Sequence, residues 1–195
     1  MSIYAYFFGG VIVRVITGSA RGRKLLTLDG TDVRPTTDIV KEAMFSIIQF
    51  EIEGRRVLDL FGGCGQLAIE ALSRGAHSAV IVDASKKSID VIRKNLETTG
   101  FDKNAVVVNS DAISFLSRRA EKYDIALIDP PYSKGLMEKA LEKISDVMNE
   151  GGVVICEAPY ADEMPENAGT FTLKKKYRYG KTGLFVYRFS EEGND

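Results

Sequence analysis

Arg56-Val-Leu-Asp-Leu-Phe-Gly-Gly-Cys-Gly65, continued by Gln66-Leu-Ala-Ile-Glu-Ala-Leu-Ser73, decides the architecture. A short apolar strand runs into a glycine-rich turn. The turn opens a helix over about 66–74, with Leu67, Ala68, Ala71 and Leu72 inward. The same alternation continues downstream. Residues 79–83 read as a strand, and Ser85 caps a helix to about residue 98 with Ile89, Ile92 and Leu96 on one face. Residues 105–109 form a strand, 112–119 a short helix, and 124–129 a strand that ends in Pro130-Pro131-Tyr132. Leu136, Ala140, Ile144 and Met148 mark another helix, and 153–157 a fifth apolar strand after Gly151-Gly152. Strands alternating with helices predict right-handed βαβ units and a mostly parallel sheet covered on both faces. Residues 171–179 and 184–189, joined by Gly180-Lys-Thr-Gly183, then form a hairpin with no helix between, so the sheet closes on an antiparallel pair.

Upstream, residues 14–17 and 24–28 predict two short strands around Gly18-Ser-Ala-Arg-Gly22, a small N-terminal β-hairpin. Arg34-Pro35-Thr36 is an extended entry to a helix that Thr37 caps and whose positive end Asp38 suits. Ile39, Ala43 and Ile47, with Val40, Met44 and Ile48, give its buried face. Residues 3–13 are an apolar run too short for a bilayer, which takes about 20 residues. With no basic flank or small-residue cleavage site it reads as an extension, and no other stretch approaches membrane length.

With 195 residues, 45% hydrophobic and 27% charged, the chain is long enough for one α/β domain with a core and too apolar for disorder. Cys64 and Cys156 cannot build a disulfide framework, which fits the reducing cytoplasm. They and the single His77 stand too far apart for a structural zinc site, so no metal is expected. The net charge of −1 argues against a nucleic-acid partner only if it is uniform, and it is not. Residues 1–28 carry +4 and no acid, 167–190 carry +6 and no acid, the tail −3, and the centre −8. Either Lys and Arg solvate outward strand faces, or the fold brings two basic ends into one face.

Asp83 ends the strand after the glycine loop, eighteen residues beyond Gly65, where an acid reaches the ribose hydroxyls of a nucleoside. Gly63-x-Gly65-x-x-Ala68 also fits the dinucleotide fingerprint, so the loop by itself does not separate NAD from another adenosine cofactor. Two details favour S-adenosylmethionine. Asp59 precedes the glycines, where a pyrophosphate would be repelled and an ammonium or ribose hydroxyl welcomed. Asp111 follows the third strand, where it can accept from an adenine amine.

Asp129-Pro130-Pro131-Tyr132 is the most specific signal. It stands at a strand's C-terminal end, where open α/β sheets place chemistry. A planar exocyclic amine is a poor nucleophile because its lone pair is conjugated into the ring. A carboxylate (Asp129) and a carbonyl (Pro130) can hold its two N–H bonds out of plane, the prolines locking the turn. Tyr132 offers a ring for a flipped base, and Asp129 stabilises the charge that develops on nitrogen.

Together these residues resemble class I S-adenosylmethionine-dependent methyltransferases with an N/D-P-P-Y motif. More narrowly, Arg14-Val-Ile-Thr-Gly-Ser-Ala-Arg-Gly-Arg23, Arg34-Pro35-Thr36, Glu70-Ala-Leu-Ser-Arg-Gly-Ala76 and Tyr179-Gly-Lys-Thr182 resemble RsmD-type ribosomal RNA guanine-N2 methyltransferases, over residues 13 to 189. The resemblance implies a Rossmann-like, seven-stranded, mostly parallel sheet with an antiparallel last strand plus the small N-terminal β-hairpin. It implies methylation of a guanine in small-subunit (16S) ribosomal RNA or the assembling 30S subunit, by a monomer. Residues 1–33 are then extension and RNA-contacting hairpin, and 34–195 the methyltransferase domain. Asp129, Pro130, Pro131 and Tyr132 are the implied catalytic residues. Arg34, Thr36, Asp59, Phe61, Gly63, Gly65, Asp83, Ala84, Asp111 and Ala112 are the implied cofactor contacts, with Arg34 meeting the cofactor's carboxylate. Arg14, Arg21, Arg23 and Lys24, with Lys174, Lys175, Lys176, Tyr177, Arg178 and Lys181, are the implied RNA face. Cys64, Gln66 and Ala68 depart from the family's usual Ser, small residue and Gly beside the cofactor. Members generally begin at the position of Val13, which makes 1–12 an addition.

Other readings are an amino methyltransferase acting on DNA or on a protein glutamine, and a non-catalytic ribosome-assembly RNA-binding protein. No stretch is long enough for a DNA target-recognition region, and glutamine enzymes usually carry Asn at the position of Asp129. An NAD oxidoreductase lacks any apparent catalytic His, Tyr-Lys or Cys arrangement.

Overall fold

The computed structural model describes residues 13–28, 37–118, 121–131 and 135–190. A hairpin comes first, β1 (Val13–Arg14) antiparallel to β2 (Lys24–Leu25), with Val13 opposite Leu25. Helix α1 (Asp38–Ile47) follows, capped by the Thr37 hydroxyl, which accepts from the Val40 N–H. Strands and helices then alternate as β3 (Arg56–Asp59), α2 (Gln66–Ser73), β4 (Ser78–Asp83), α3 (Lys86–Thr99), β5 (Ala105–Asn109), α4 (Ala112–Leu116), β6 (Tyr123–Ile128), α5 (Leu136–Ile144) and β7 (Met148–Pro159). β8 (Asn167–Ala168), β9 (Phe171–Tyr179) and β10 (Thr182–Phe189) follow with no helix among them.

The large sheet has the order β5-β4-β3-β6-β7-β10-β9-β8. β3 to β7 are mutually parallel, and β10 runs antiparallel to both of its neighbours, β7 and β9. The expected seven strands and reversed last strand are present, and β8 adds an eighth of two residues at the edge. A two-residue strand is too short to show the alternation by which strands are read.

The central strands are continuously apolar because both faces are covered. Val57, Ile81, Ile125, Ile155 and Leu184 join a core with α1, α2, α3 and the hairpin. Their sequence neighbours Leu58, Val80, Ala126, Val154 and Phe185 join a second core with α4 and α5.

Some predicted boundaries move. The hairpin strands are two residues each rather than four or five. Ile39 is exposed, and Phe45 is buried in its place, because the buried stripe of α1 is Val40, Met44, Phe45 and Ile48. Helix α4 stops at Leu116. Met148 does not extend α5: a single 3-10 turn, Ser145–Val147, ends that helix and Met148 starts β7. β7 is twelve residues long because Gly151 and Gly152 lie within it, across a register irregularity opposite Tyr123 and Ile125. A side chain at Gly152 would press on the Asn149 and Asp124 carbonyls, at 2.9 and 3.0 Å.

Candidate active site

β3, β4, β5 and β6 are parallel, so their C-terminal ends open on one edge of the sheet. The glycine loop leaves β3 there. A side chain at Gly62 would stand 2.5 Å from Ile81 Cγ2, and Gly65 has φ +81°, the left-handed region that favours glycine. The loop is held by its neighbours. The Gly62 N–H donates to the Val82 carbonyl (2.8 Å) and the Gly63 N–H to Asp83 Oδ2 (2.8 Å). Asp83 Oδ1 accepts from the Ser85 N–H (2.8 Å), so one carboxylate ties the loop to the start of α3.

Asp59 is 1% exposed and accepts from the Ala68 N–H at 3.1 Å. Gly65 supplies no side-chain cap to α2, so Asp59 satisfies a first-turn donor instead. Ala68 is the third small position of the dinucleotide fingerprint. An acid on its N–H occupies the helix end to which a pyrophosphate would bind, which favours a cationic cofactor over a dinucleotide. Burial pushes the Asp59 carboxyl up to about 7; the Ala68 N–H pulls the other way, and the charges of Asp129 and Asp83 push it further up. Three predicted site acids from three strand ends therefore share one electrostatic environment. Asp111, at the end of the next strand, caps α4 by accepting from the Ser114 N–H (2.9 Å). Ala84 packs into the same edge through its carbonyl, which accepts from Asn109 Nδ2 at 2.9 Å. Phe61 and Ala112 line the second core beneath.

Asp129 follows β6 directly and is half-buried; Pro130 is buried and Pro131 exposed. Tyr132, Arg34 and Thr36 lie outside the described residues.

The basic residues do not form one continuous row. Arg14, Arg21, Arg23 and Lys24 are exposed on the hairpin, which joins the core of α1, α2 and α3. Tyr177 packs on that same core. In the β9–β10 register Lys175 opposes Val186, while Lys176 opposes Phe185 of the other core. Lys176 and Arg178 thus leave β9 on the face opposite the hairpin. Lys174 sits at the register shift, and Lys181 is exposed in the turn.

Sequence reasoning passed over the residues that dock the hairpin. Glu70 is fully buried and accepts from the Ile16 and Thr17 N–H groups (2.7 and 3.0 Å) and from Arg74 Nε (2.7 Å). Ser73 Oγ donates to the Thr17 carbonyl and accepts from the Ala20 N–H. Lys41 Nζ, also fully buried, donates to the Arg14 carbonyl (2.7 Å) and to Gln66 Oε1 (3.4 Å). Burial holds the Lys41 ammonium below its usual range, against the pull of Glu70 and Asp38. Asn95 clasps the Leu26 backbone at both N–H and C=O and donates to the Cys64 carbonyl in the glycine loop. The available signal was a polar residue standing in a helix's apolar stripe.

A family model described as Conserved hypothetical protein 95 matches residues 13–188. YlbH of Bacillus subtilis (strain 168) is 38% identical over 181 residues, covering 90% of this chain and 98% of that one. Ribosomal RNA small subunit methyltransferase D of Escherichia coli (strain K12) is 32% identical over 183 residues, covering 93% of this chain and 92% of that one. The solved structure of yhhF from Escherichia coli is 30% identical with a TM-score of 0.84, over 93% of this chain and all of that one. The matched span takes in the glycine loop, the strand-end acids, Asp129-Pro-Pro-Tyr132 and both basic segments, and the chain belongs to this family, the RsmD methyltransferases, which use S-adenosylmethionine.

Proposed function

We propose that the protein transfers the methyl group of S-adenosylmethionine to the exocyclic N2 amine of a guanine in small-subunit (16S) ribosomal RNA. The observation that carries the reading is Asp129, placed directly after β6 and close enough to buried Asp59 to raise its pKa. An amine-binding carboxylate thus adjoins the pocket of acids suited to a cation. The Escherichia coli relative's name, ribosomal RNA small subunit methyltransferase D, supports the RNA as substrate.

The residues divide the work. Asp59, Asp83 and Asp111 bind the adenosine and ammonium groups, with Gly63 and Gly65 letting the backbone approach and Arg34 and Thr36 closing over it. When bound, S-adenosylmethionine supplies an electrophilic methyl on a sulfonium. Asp129 and the Pro130 carbonyl accept the two N–H bonds of the guanine amine and turn its lone pair out of the ring plane. As the N–C bond forms and the S–C bond breaks, positive charge moves to nitrogen. Asp129 stabilises that charge and takes the proton. Tyr132 stacks on the base. Residues 1–33 contact RNA, 34–195 carry the chemistry, and the working unit is a cytoplasmic monomer on RNA or the assembling 30S subunit.

The test supplies labelled S-adenosylmethionine and small subunits from a strain lacking the enzyme, then maps the labelled base. Label at a guanine N2 supports the reading. Label on DNA or a glutamine amide replaces it with another amino methyltransferase, and cofactor binding without any transfer replaces it with a non-catalytic assembly protein.

A further inference from the structure

Two cations of β9 are held in place without an acid. Lys176 Nζ lies 4.2 Å from the centroid of the Tyr160 ring and 4.8 Å from that of Phe185, and the Arg178 guanidinium carbon lies 5.0 Å from the Tyr160 centroid. Tyr160 is the residue just beyond β7, and its N–H donates to the Lys181 carbonyl at 2.8 Å, which ties its backbone to the β9–β10 turn. Gly183, opposite Arg178, leaves the space this needs: a Cβ there would stand 2.7 Å from the Phe185 ring and 3.1 Å from Tyr160 Cα. Arg178 Nε also donates to the Gly180 carbonyl at 3.0 Å.

Five arginines elsewhere are neutralised, in contrast to these two. Arg14, Arg55, Arg56, Arg74 and Arg188 each pair with a carboxylate at 2.7 to 3.7 Å. Among the described residues no carboxylate comes within ion-pair distance of Lys176 or Arg178, although Asp162 and Glu163 follow Tyr160 closely. The difference matters physically. A carboxylate would hold a cation but cancel its field, whereas an aromatic quadrupole holds it and leaves the full charge to an outside anion. Holding long side chains in advance also lowers the ordering cost at binding. Both residues are exposed, and the cluster stands at the C-terminal end of β7, the same sheet edge as Asp59 and Asp129.

We propose that Tyr160 is a positioning residue that presents Lys176 and Arg178 as a clamp for backbone phosphates of the RNA strand beside the target nucleotide. This deepens the RNA reading above and rests on it. Phosphate is the fitting ligand because the clamp is doubly cationic with no acid to turn a base edge, and such contacts give affinity without sequence preference.

The test compares wild type with Tyr160→Leu and Tyr160→Phe, neither of which removes a cation. RNA affinity is measured on unmodified small-subunit RNA over a range of salt, alongside S-adenosylmethionine affinity, thermal stability, and kcat and KM for the RNA. Tyr160→Leu should weaken RNA binding roughly three- to tenfold. The loss should appear in KM for RNA rather than in kcat. The salt slope should become shallower by about 0.7 for each single-strand phosphate that the variant no longer neutralises. Tyr160→Phe, which keeps the ring, should restore all three. Wild-type affinity and slope in the Leu variant overturn the clamp, as does a Phe variant as weak as Leu. A parallel fall in cofactor affinity and stability would assign Tyr160 to the fold instead. A wild-type protein that neither binds nor methylates RNA overturns the RNA reading itself, before any variant is compared.

Discussion

Asp59 should make cofactor binding stronger as pH rises towards neutrality. Its carboxyl is buried and pushed up to about 7 in the cofactor-free protein, from an ordinary value of 3.8. At pH 6 the empty site therefore holds Asp59 mostly protonated. A cationic ligand favours the ionised form, because its charge attracts a carboxylate in a site that water screens little. If binding returns the carboxyl to its ordinary value, it releases one proton across the interval between the two values. Affinity for S-adenosylmethionine then rises about tenfold per pH unit up to about 7 and levels off above. From pH 5 to pH 7 that is up to ~100-fold, or ~2.7 kcal/mol at 1.36 kcal/mol per unit. An amino acid's own carboxylate and ammonium hold their charges through that window. Isothermal calorimetry in buffers of different ionisation enthalpy counts the proton directly. Asp59→Asn keeps an oxygen for the Ala68 N–H and should bind with no slope. A flat wild-type profile between pH 5 and 7, or the same slope in Asp59→Asn, refutes the reasoning. Stability supplies an independent sign. A raised carboxyl favours the folded state fully below about pH 3.8, and that contribution is lost as pH rises through about 7. Asp59→Asn should accordingly raise the melting temperature of the cofactor-free protein at pH 8 and leave it nearly unchanged at pH 4.

Asp129→Ala should abolish methyl transfer while retaining cofactor binding, measured by label transfer and equilibrium dialysis; normal turnover would remove Asp129 from the mechanism. The same variant deletes a negative charge beside Asp59, so it should move the Asp59 titration to lower pH. Gly18 has φ +86°, and a Cβ there would lie 1.7 Å from the Ser73 carbonyl oxygen. Gly18→Ala should cost roughly 2–4 kcal/mol in urea denaturation. A cost below about 0.5 kcal/mol would mean the turn does not dock on α2 as described. Arg188 grips Glu51 with two bonds of 2.7 Å, and that grip holds the Glu51 carboxyl below its ordinary range. The pair is over a third exposed, so solvent screening limits Glu51→Gln to ~0.5–1 kcal/mol. That difference should be present above pH 4.5, fade as pH falls below it, and show no such fading if the ion pair is absent in solution.

The sheet was legible because a parallel strand announces itself twice, by a continuous apolar run and by the polar or glycine-rich residues that end it. Val57 and Leu58, or Val154 and Ile155, need both faces buried, and no helix explains runs so short. Asp59 and Asp83 were legible for the same reason, since each breaks an apolar run at the strand's C-terminal end, and Asp111 follows the Asn109-Ser110 that ends a third run. Boundaries were harder where two periods overlap. Met148 continues the Leu136, Ala140, Ile144 series at the helical spacing, yet it is equally an apolar strand residue. Only its pairing with Tyr123 settles the matter.

The docking of the hairpin was illegible for a different reason. Lys41, Glu70, Ser73 and Asn95 each put a polar group where the helix turns inward, and the sequence marks that break clearly. What it does not mark is the partner, because in every case the partner includes backbone. Glu70 meets the N–H groups of Ile16 and Thr17, Lys41 the Arg14 carbonyl, and Asn95 both groups of Leu26, 27 to 69 residues away. Backbone groups carry no residue identity, so no complementary side chain could be sought. The physical requirement is nonetheless strict: a buried charge left unpaired is too costly to keep. A lysine in the apolar stripe of α1 and a glutamate in that of α2 therefore imply that a further segment covers both helices. The two basic ends meet the rest of the fold in different ways, and so they do not merge. The hairpin is bound to α1, α2 and α3 through these polar groups, while Lys176 and Arg178 rest on Tyr160 at the other face of the sheet. The Tyr160 cluster stands at the C-terminal edge of the sheet, the edge that carries Asp59, Asp83 and Asp129.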